Sequence, residues 1–64
     1  MKNYSSKEVI SILEGDGWYL SSIKGDHHQF KHPTKPGKTT VPHPRKNLGI
    51  TEIKSISKQS GIQF

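Results

Sequence analysis

The chain has no cysteine, which excludes disulfides and thiolate metal sites as staples and fits a reducing compartment. No apolar run approaches the ~18 residues that span a bilayer, and the amino end lacks the apolar stretch of a signal peptide. A soluble, cytoplasmic protein is expected. Acidic side chains are scarce, five in all, and Glu8, Glu14 and Glu52 fall on expected helix surfaces. A paired-carboxylate glycosidase is therefore unsupported. With neither a thiol nor a Gly-x-Ser-x-Gly elbow, a protease or esterase also lacks its nucleophile. The chain is short as well, at 64 residues. A body this size buries only about 60% of its unfolded surface, so one domain over residues 1–64 with a thin core is expected.

What the chain has is positive charge. Ten Lys and Arg against five acids leave a formal +5, an excess that favours a polyanionic partner, nucleic acid first and anionic membrane second. The membrane reading needs a basic amphipathic helix with a broad apolar face, and none is visible. A basic surface that serves only solubility is the plain alternative.

In chain order, Ser5 and Glu8 form a capping box, with Tyr4 and Val9 placed as a hydrophobic staple. Val9, Ile10, Ile12 and Leu13 then recur at helical spacing, and Gly15 and Gly17 end the helix. Residues 18–24 predict a first strand, 27–32 a second that stops at Pro33, and 38–41 a third that ends at Pro42. Pro36-Gly37 has a type II turn signature. Pro42-His43-Pro44 predicts a stiff extended arm that carries Arg45 and Lys46. A second helix is expected from Ile50 or Thr51 to Ser60, with Ile53 and Ile56 inward, Gly61 as its cap and Ile62 packing back. The order α-β-β-β-α predicts an α+β domain, a three-stranded antiparallel meander with both helices on one face.

The central stretch is Lys24-Gly25-Asp26-His27-His28-Gln29-Phe30-Lys31-His32-Pro33. Gly25-Asp26 suits a type II′ hairpin turn, which makes Lys24 and His27 direct partners. Alternation along the strands then puts His27, Gln29 and Lys31 on one face with Lys24 and Ser22. His28, Phe30 and His32 share the other, core-side face with Ile23 and Tyr19. Trp18 and Leu20 fall on the His27 face, an awkward place that a bulge would reverse.

Four histidines invite a metal reading. His28 and His32, however, lie about 13 Å apart along a strand, His27 and His28 point oppositely, and no typical ligand spacing appears. No metal or cofactor is assigned. RNA cleavage asks for less, because the substrate supplies its own 2′-hydroxyl nucleophile. The protein needs a group that titrates near neutrality and fixed positive charge at the phosphate. His27 beside the turn, with Lys24 or Lys31, meets that need. The plain alternative is a solvated surface histidine.

Gly-Trp-Tyr-Leu at 17–20, the block at 24–33, Thr-Lys-Pro-Gly-Lys at 34–38, Thr-Val-Pro-His-Pro at 40–44 and Ile-Lys-Ser-Ile-Ser-Lys-Gln-Ser-Gly-Ile at 53–62 resemble the HicA toxin family. The likeness covers nearly the whole chain from about Ser6. It implies a fold similar to a double-stranded RNA-binding domain and a toxin that cleaves messenger RNA. It also implies a HicB antitoxin encoded alongside as inhibitor. The family's Gly-Ser-His signature falls on Gly25, Asp26 and His27, and its histidine is the one associated with cleavage. His28 follows the family's common second histidine. The family usually has serine where this chain has Asp26, and a larger apolar residue where it has Ser57. A carboxylate there favours a protonated His27 and repels phosphate.

The expectation is thus a metal-independent endoribonuclease acting through His27, with Gly25 and His28 in support. Lys24, Lys31, Lys38, Arg45 and Lys46 are the candidate RNA contacts. No membrane and no small-molecule cofactor are expected as partners. The rivals are a non-catalytic RNA-binding module on the same fold, favoured by Asp26, and an interaction protein whose basic surface meets an acidic partner.

Overall fold

The spacing of Ser5 and Glu8 does what a capping box requires. In the computed structural model, which describes residues 3–64, helix α1 (Ser6–Gly15) opens with the Ser5 hydroxyl accepting the Glu8 N–H. The Glu8 carboxylate in turn accepts the Ser5 N–H, each bond at 3.1 Å. Val9 and Leu13 are fully buried, Ile10 is half-buried, and Ile12 is left at the rim. The chain leaves the helix through Gly17 at φ +104°, where an added Cβ would lie 2.9 Å from His32 Nε2. Conformation and space both call for glycine there.

His32 is the reason that space is tight. Its Nδ1 accepts the N–H groups of Thr34 and Lys35 at 3.1 and 3.0 Å. The proton must therefore sit on Nε2, which donates to the Asp16 carbonyl at 2.7 Å. The ring also lies edge-on to Trp18 with centroids 5.1 Å apart. Lys35 adds a second tie, reaching Asp16 at 2.6 Å and the Ser60 carbonyl at 3.1 Å. His32 is thus a structural bracket.

Strands β1 (Tyr19–Lys24) and β2 (His27–Lys31) pair antiparallel through Gly25-Asp26. Gly25 has φ +60° while no non-glycine among the described residues takes positive φ, as a type II′ turn demands. Lys24 stands opposite His27. Further from the turn the register shifts between Leu20 and Ser22, so that Leu20 faces Phe30 and Tyr19 faces Lys31. This corrects the simple alternation: Leu20 lies on the core side and Tyr19 on the His27 side. The physical reason is the extra residue of a bulge, which reverses every side chain beyond it.

Strand β3 (Thr39–Pro42) pairs antiparallel with β2, giving a sheet of order β1-β2-β3. It runs one residue later than expected and takes in Pro42, which an edge strand tolerates. Helix α2 (Ile50–Ser60) closes the α-β-β-β-α order. Gly61 caps it at φ +73°, its N–H reaching the Ser57 carbonyl. Ser57, where a larger apolar residue is usual in the resemblance, donates its hydroxyl to the Ile62 carbonyl.

Val9 and Leu13 from α1, Ile53 and Ile56 from α2, and Phe30 and Val41 from the sheet form one cluster with Trp18 and Leu48. Both helices therefore lie on the Phe30 side of the sheet. They meet it mainly at β3, and β1 is exposed along its whole length. The opposite face, with His27, stays uncovered.

Gly25 has open space around its Cβ position, so its requirement is conformational. Gly25→Ala is expected to destabilise the fold by about 1–2 kcal/mol. Gly15→Ala, with open space and no positive φ, should stabilise it by roughly 0.4–1 kcal/mol. Paired denaturant titrations read both.

Candidate functional site

The turn delivers His27 to the open side of the sheet. Its side chain is 59% exposed, with Lys24 opposite it on β1 and Pro42 opposite it on β3. The next residue, His28, points the other way. It is half-buried and its ring meets the edge of His43, centroids 4.9 Å apart. The two adjacent histidines thus serve different sides of the sheet, and His28 does not reach the His27 surface.

The arm after β3 brings in Arg45, and the amino-terminal helix holds it there. The buried Ser6 hydroxyl accepts the Arg45 N–H at 2.9 Å, while the Ser6 N–H donates to the Arg45 carbonyl at 3.0 Å. His43 Nδ1 lies 2.6 Å from the same hydroxyl. The His43 N–H donates to the Asp26 carbonyl at 2.7 Å, tying the arm to the hairpin turn. With its backbone gripped, Arg45 extends its guanidinium to Asp26 at 3.0 Å.

This pairing changes the meaning of Asp26. Its carboxylate lies 3.7 Å from His27 Nε2, too long for a hydrogen bond, but its other oxygen is engaged by Arg45. The Arg45 hydrogen bond holds the Asp26 carboxyl below its ordinary value, against a desolvation effect that works the other way. The negative charge beside the imidazole is therefore matched by a cation in contact with it.

His27 and Arg45 also line a cleft of about 300 Å³ where α2 runs along the free edge of β3. Thr40 and Pro42 form its sheet wall, and Glu52, Ser55 and Gln59 form its helix wall. Gln59 Oε1 accepts the Thr40 N–H at 2.9 Å, which closes the strand edge beside the cleft. Glu52 is held in place by accepting the Gly49 N–H at 2.9 Å. These helix residues were not among the expected site. Their signal was a polar row at 52, 55 and 59 flanking the inward Ile53 and Ile56, spacing that puts all three on one side of a helix.

The cations separate into two groups. Lys24 and Lys31 share the outer sheet face with His27, and Lys38 approaches it, its Nζ 3.5 Å from Gln29 Oε1. Arg45 sits at the turn. Lys46 instead lines a second groove with Lys7, Ser5, Ser6, His43 and Pro44. The described surface thus brings together an exposed imidazole, a guanidinium hydrogen-bonded to Asp26, three lysines and a recess of about 300 Å³. That arrangement is able to bind a phosphodiester and move a proton next to it.

Compared with known families, the chain matches the model described as the HicA toxin of bacterial toxin-antitoxin over residues 6–62. No curated protein matches it.

The Asp26–Arg45 pair generates a pH prediction. A carboxyl held below its unfolded value of about 3.9 contributes stability that is complete above that value and is lost as pH falls through the lower, folded one. The melting temperature of the wild type should therefore exceed that of Asp26→Asn at pH 6, with the gap closing on acidification below about pH 4. Thermal melts of both proteins across that range measure it.

Proposed function

The chain belongs to the HicA toxin family, and on that premise we propose that it is an endoribonuclease that uses His27 as its proton-transfer group without a metal ion. Membership implies a toxin with an antitoxin partner. The observation that carries the finer reading is the open position of His27 at the mouth of a cleft, with Arg45 held beside it.

In this mechanism His27 takes the proton from the 2′-hydroxyl next to the scissile phosphate. The 2′-oxygen bonds to phosphorus, the bond to the 5′-oxygen breaks, and a proton returned to that oxygen completes a 5′-hydroxyl. The other product is a 2′,3′-cyclic phosphate. Arg45 and Lys24 stabilise the negative charge that builds on the phosphoryl oxygens, the task for which fixed cations are most effective. Asp26, neutralised by Arg45, orients that guanidinium and adds little repulsion toward the substrate. Gly25 contributes through the turn, and His28 through the core side of β2. Lys31 and Lys38 supply further phosphate contacts along the sheet, and Lys46 does so from the neighbouring groove.

A HicB-type antitoxin would inhibit by covering this same surface. A messenger RNA target in the cytoplasm follows from the reading. The rival, an RNA-binding module without cleavage, draws on Asp26 standing where the family usually has serine.

Purified wild-type protein is expected to cut messenger RNA in the presence of a chelator. His27→Ala should lower the rate by about 10²–10⁴-fold while leaving RNA binding largely intact. Its induced expression should no longer arrest growth. Equal cleavage by both proteins would remove His27 from the chemistry, and a wild type that binds but never cuts would leave the binding-module reading.

A further inference from the structure

The bulge in β1 has put an aromatic ring where cations are. Tyr19 stands opposite Lys31 on the face that carries His27, and it is 52% exposed. Its ring stacks on no other aromatic among the described residues. The outer face is otherwise Ser22, Lys24, Gln29, Lys31, Thr40 and Pro42, and none of the three strands contains an acidic residue.

We propose that this outer sheet face is a track for single-stranded RNA, with the Tyr19 ring as the platform on which an unpaired base stacks. The inference rests on the RNA-cleavage reading and adds the substrate class. Tyr19 and His27 lie four positions apart in β2 register, about 13 Å at strand rise. A strand of RNA crossing that distance spans a few nucleotides, with Lys31 and Lys24 set along its backbone. A base that stacks at Tyr19 holds the chain in register so that a phosphate further along arrives at His27 and Arg45.

The geometry selects against a duplex. Bases in an A-form helix are stacked on one another and their faces are closed to a side chain, whereas single strands present those faces to aromatic residues on open sheets. The selectivity is for strandedness and not for sequence, since every base has a π-face. Lysines give the salt-dependent part of the affinity. Tyr19 gives a part that salt does not screen.

The test uses short fluorescent oligonucleotides with 2′-O-methyl groups, which lack the attacking hydroxyl, offered single-stranded or as a duplex and followed by anisotropy. Tyr19 is exposed, so its variants should fold, and circular dichroism verifies this. The wild type is expected to prefer the single strand. Tyr19→Ala should weaken that binding about tenfold, with the duplex affinity and the salt slope unchanged, and Tyr19→Phe should retain it. Lys31→Ala should instead reduce the salt slope. Unchanged single-strand binding by Tyr19→Ala, or an equal loss on single strand and duplex, overturns the proposal. If RNA cleavage persists in that case and is lost in His27→Ala, the track alone has failed. If Tyr19-dependent binding is seen but natural RNA is never cut, the cleavage reading alone has failed.

Discussion

A left-handed glycine in a two-residue turn decides which way the candidate functional surface of this protein faces. Gly25 at φ +60° closes the hairpin with Lys24 directly opposite His27, and strand alternation then determines the face of every neighbour. Had the turn held one residue more, the His27 imidazole would turn to the core side and the adjacent His28 would face solvent. The core would not tolerate the exchange. Phe30 and Val41 lie at the centre of the apolar cluster, and a one-residue slip would move Phe30 into water. The burial that stabilises the sheet and the exposure of His27 that the proposed chemistry needs are thus two results of one register.

Electrostatics then suits that surface to the anion of the proposed reading. The carboxylate next to His27 is an obstacle in isolation, since it competes with phosphate for the same cations. Arg45 answers it, and does so from a backbone fixed by Ser6 at the start of α1. The site is consequently assembled from the hairpin turn, the arm after β3 and the first turn of the amino-terminal helix. Its helix wall adds Glu52, Ser55 and Gln59 from the far end of the chain. A recess on so small a body must draw on distant segments, because no one segment has enough side chains to make one.

Much of this was legible in the residues themselves. The capping box, the Gly61 cap, the inward Ile53 and Ile56 and the Lys24–His27 pairing all follow from local rules, and local rules suffice where the interaction spans a few residues. What escaped was non-local. The bulge at residues 20–22 goes together with a buried Trp18 whose ring meets His32, and no periodicity reveals that. The misfit of Trp18 and Leu20 on a polar face was its only trace. The Asp26–Arg45 contact joins residues nineteen positions apart, and the arm that carries Arg45 is held by Ser6. Glu52 looked like a solvated helix position because its helix was read without the strand edge it runs along.

The exposure of β1 has a consequence for motion. The helices anchor the sheet at β3, while β1 is held chiefly by its ladder to β2 and leaves Leu20 and Ile23 in contact with water. Strands with few buried apolar contacts open most often, so amide exchange should run as a gradient across the sheet, slowest beside α2 and fastest at the outer edge. The molecule therefore has a stiff side and a compliant one. The recess with Arg45 belongs to the first and the aromatic ring of Tyr19 to the second, so a strand laid along the proposed track would meet one surface that keeps its geometry and another that adjusts.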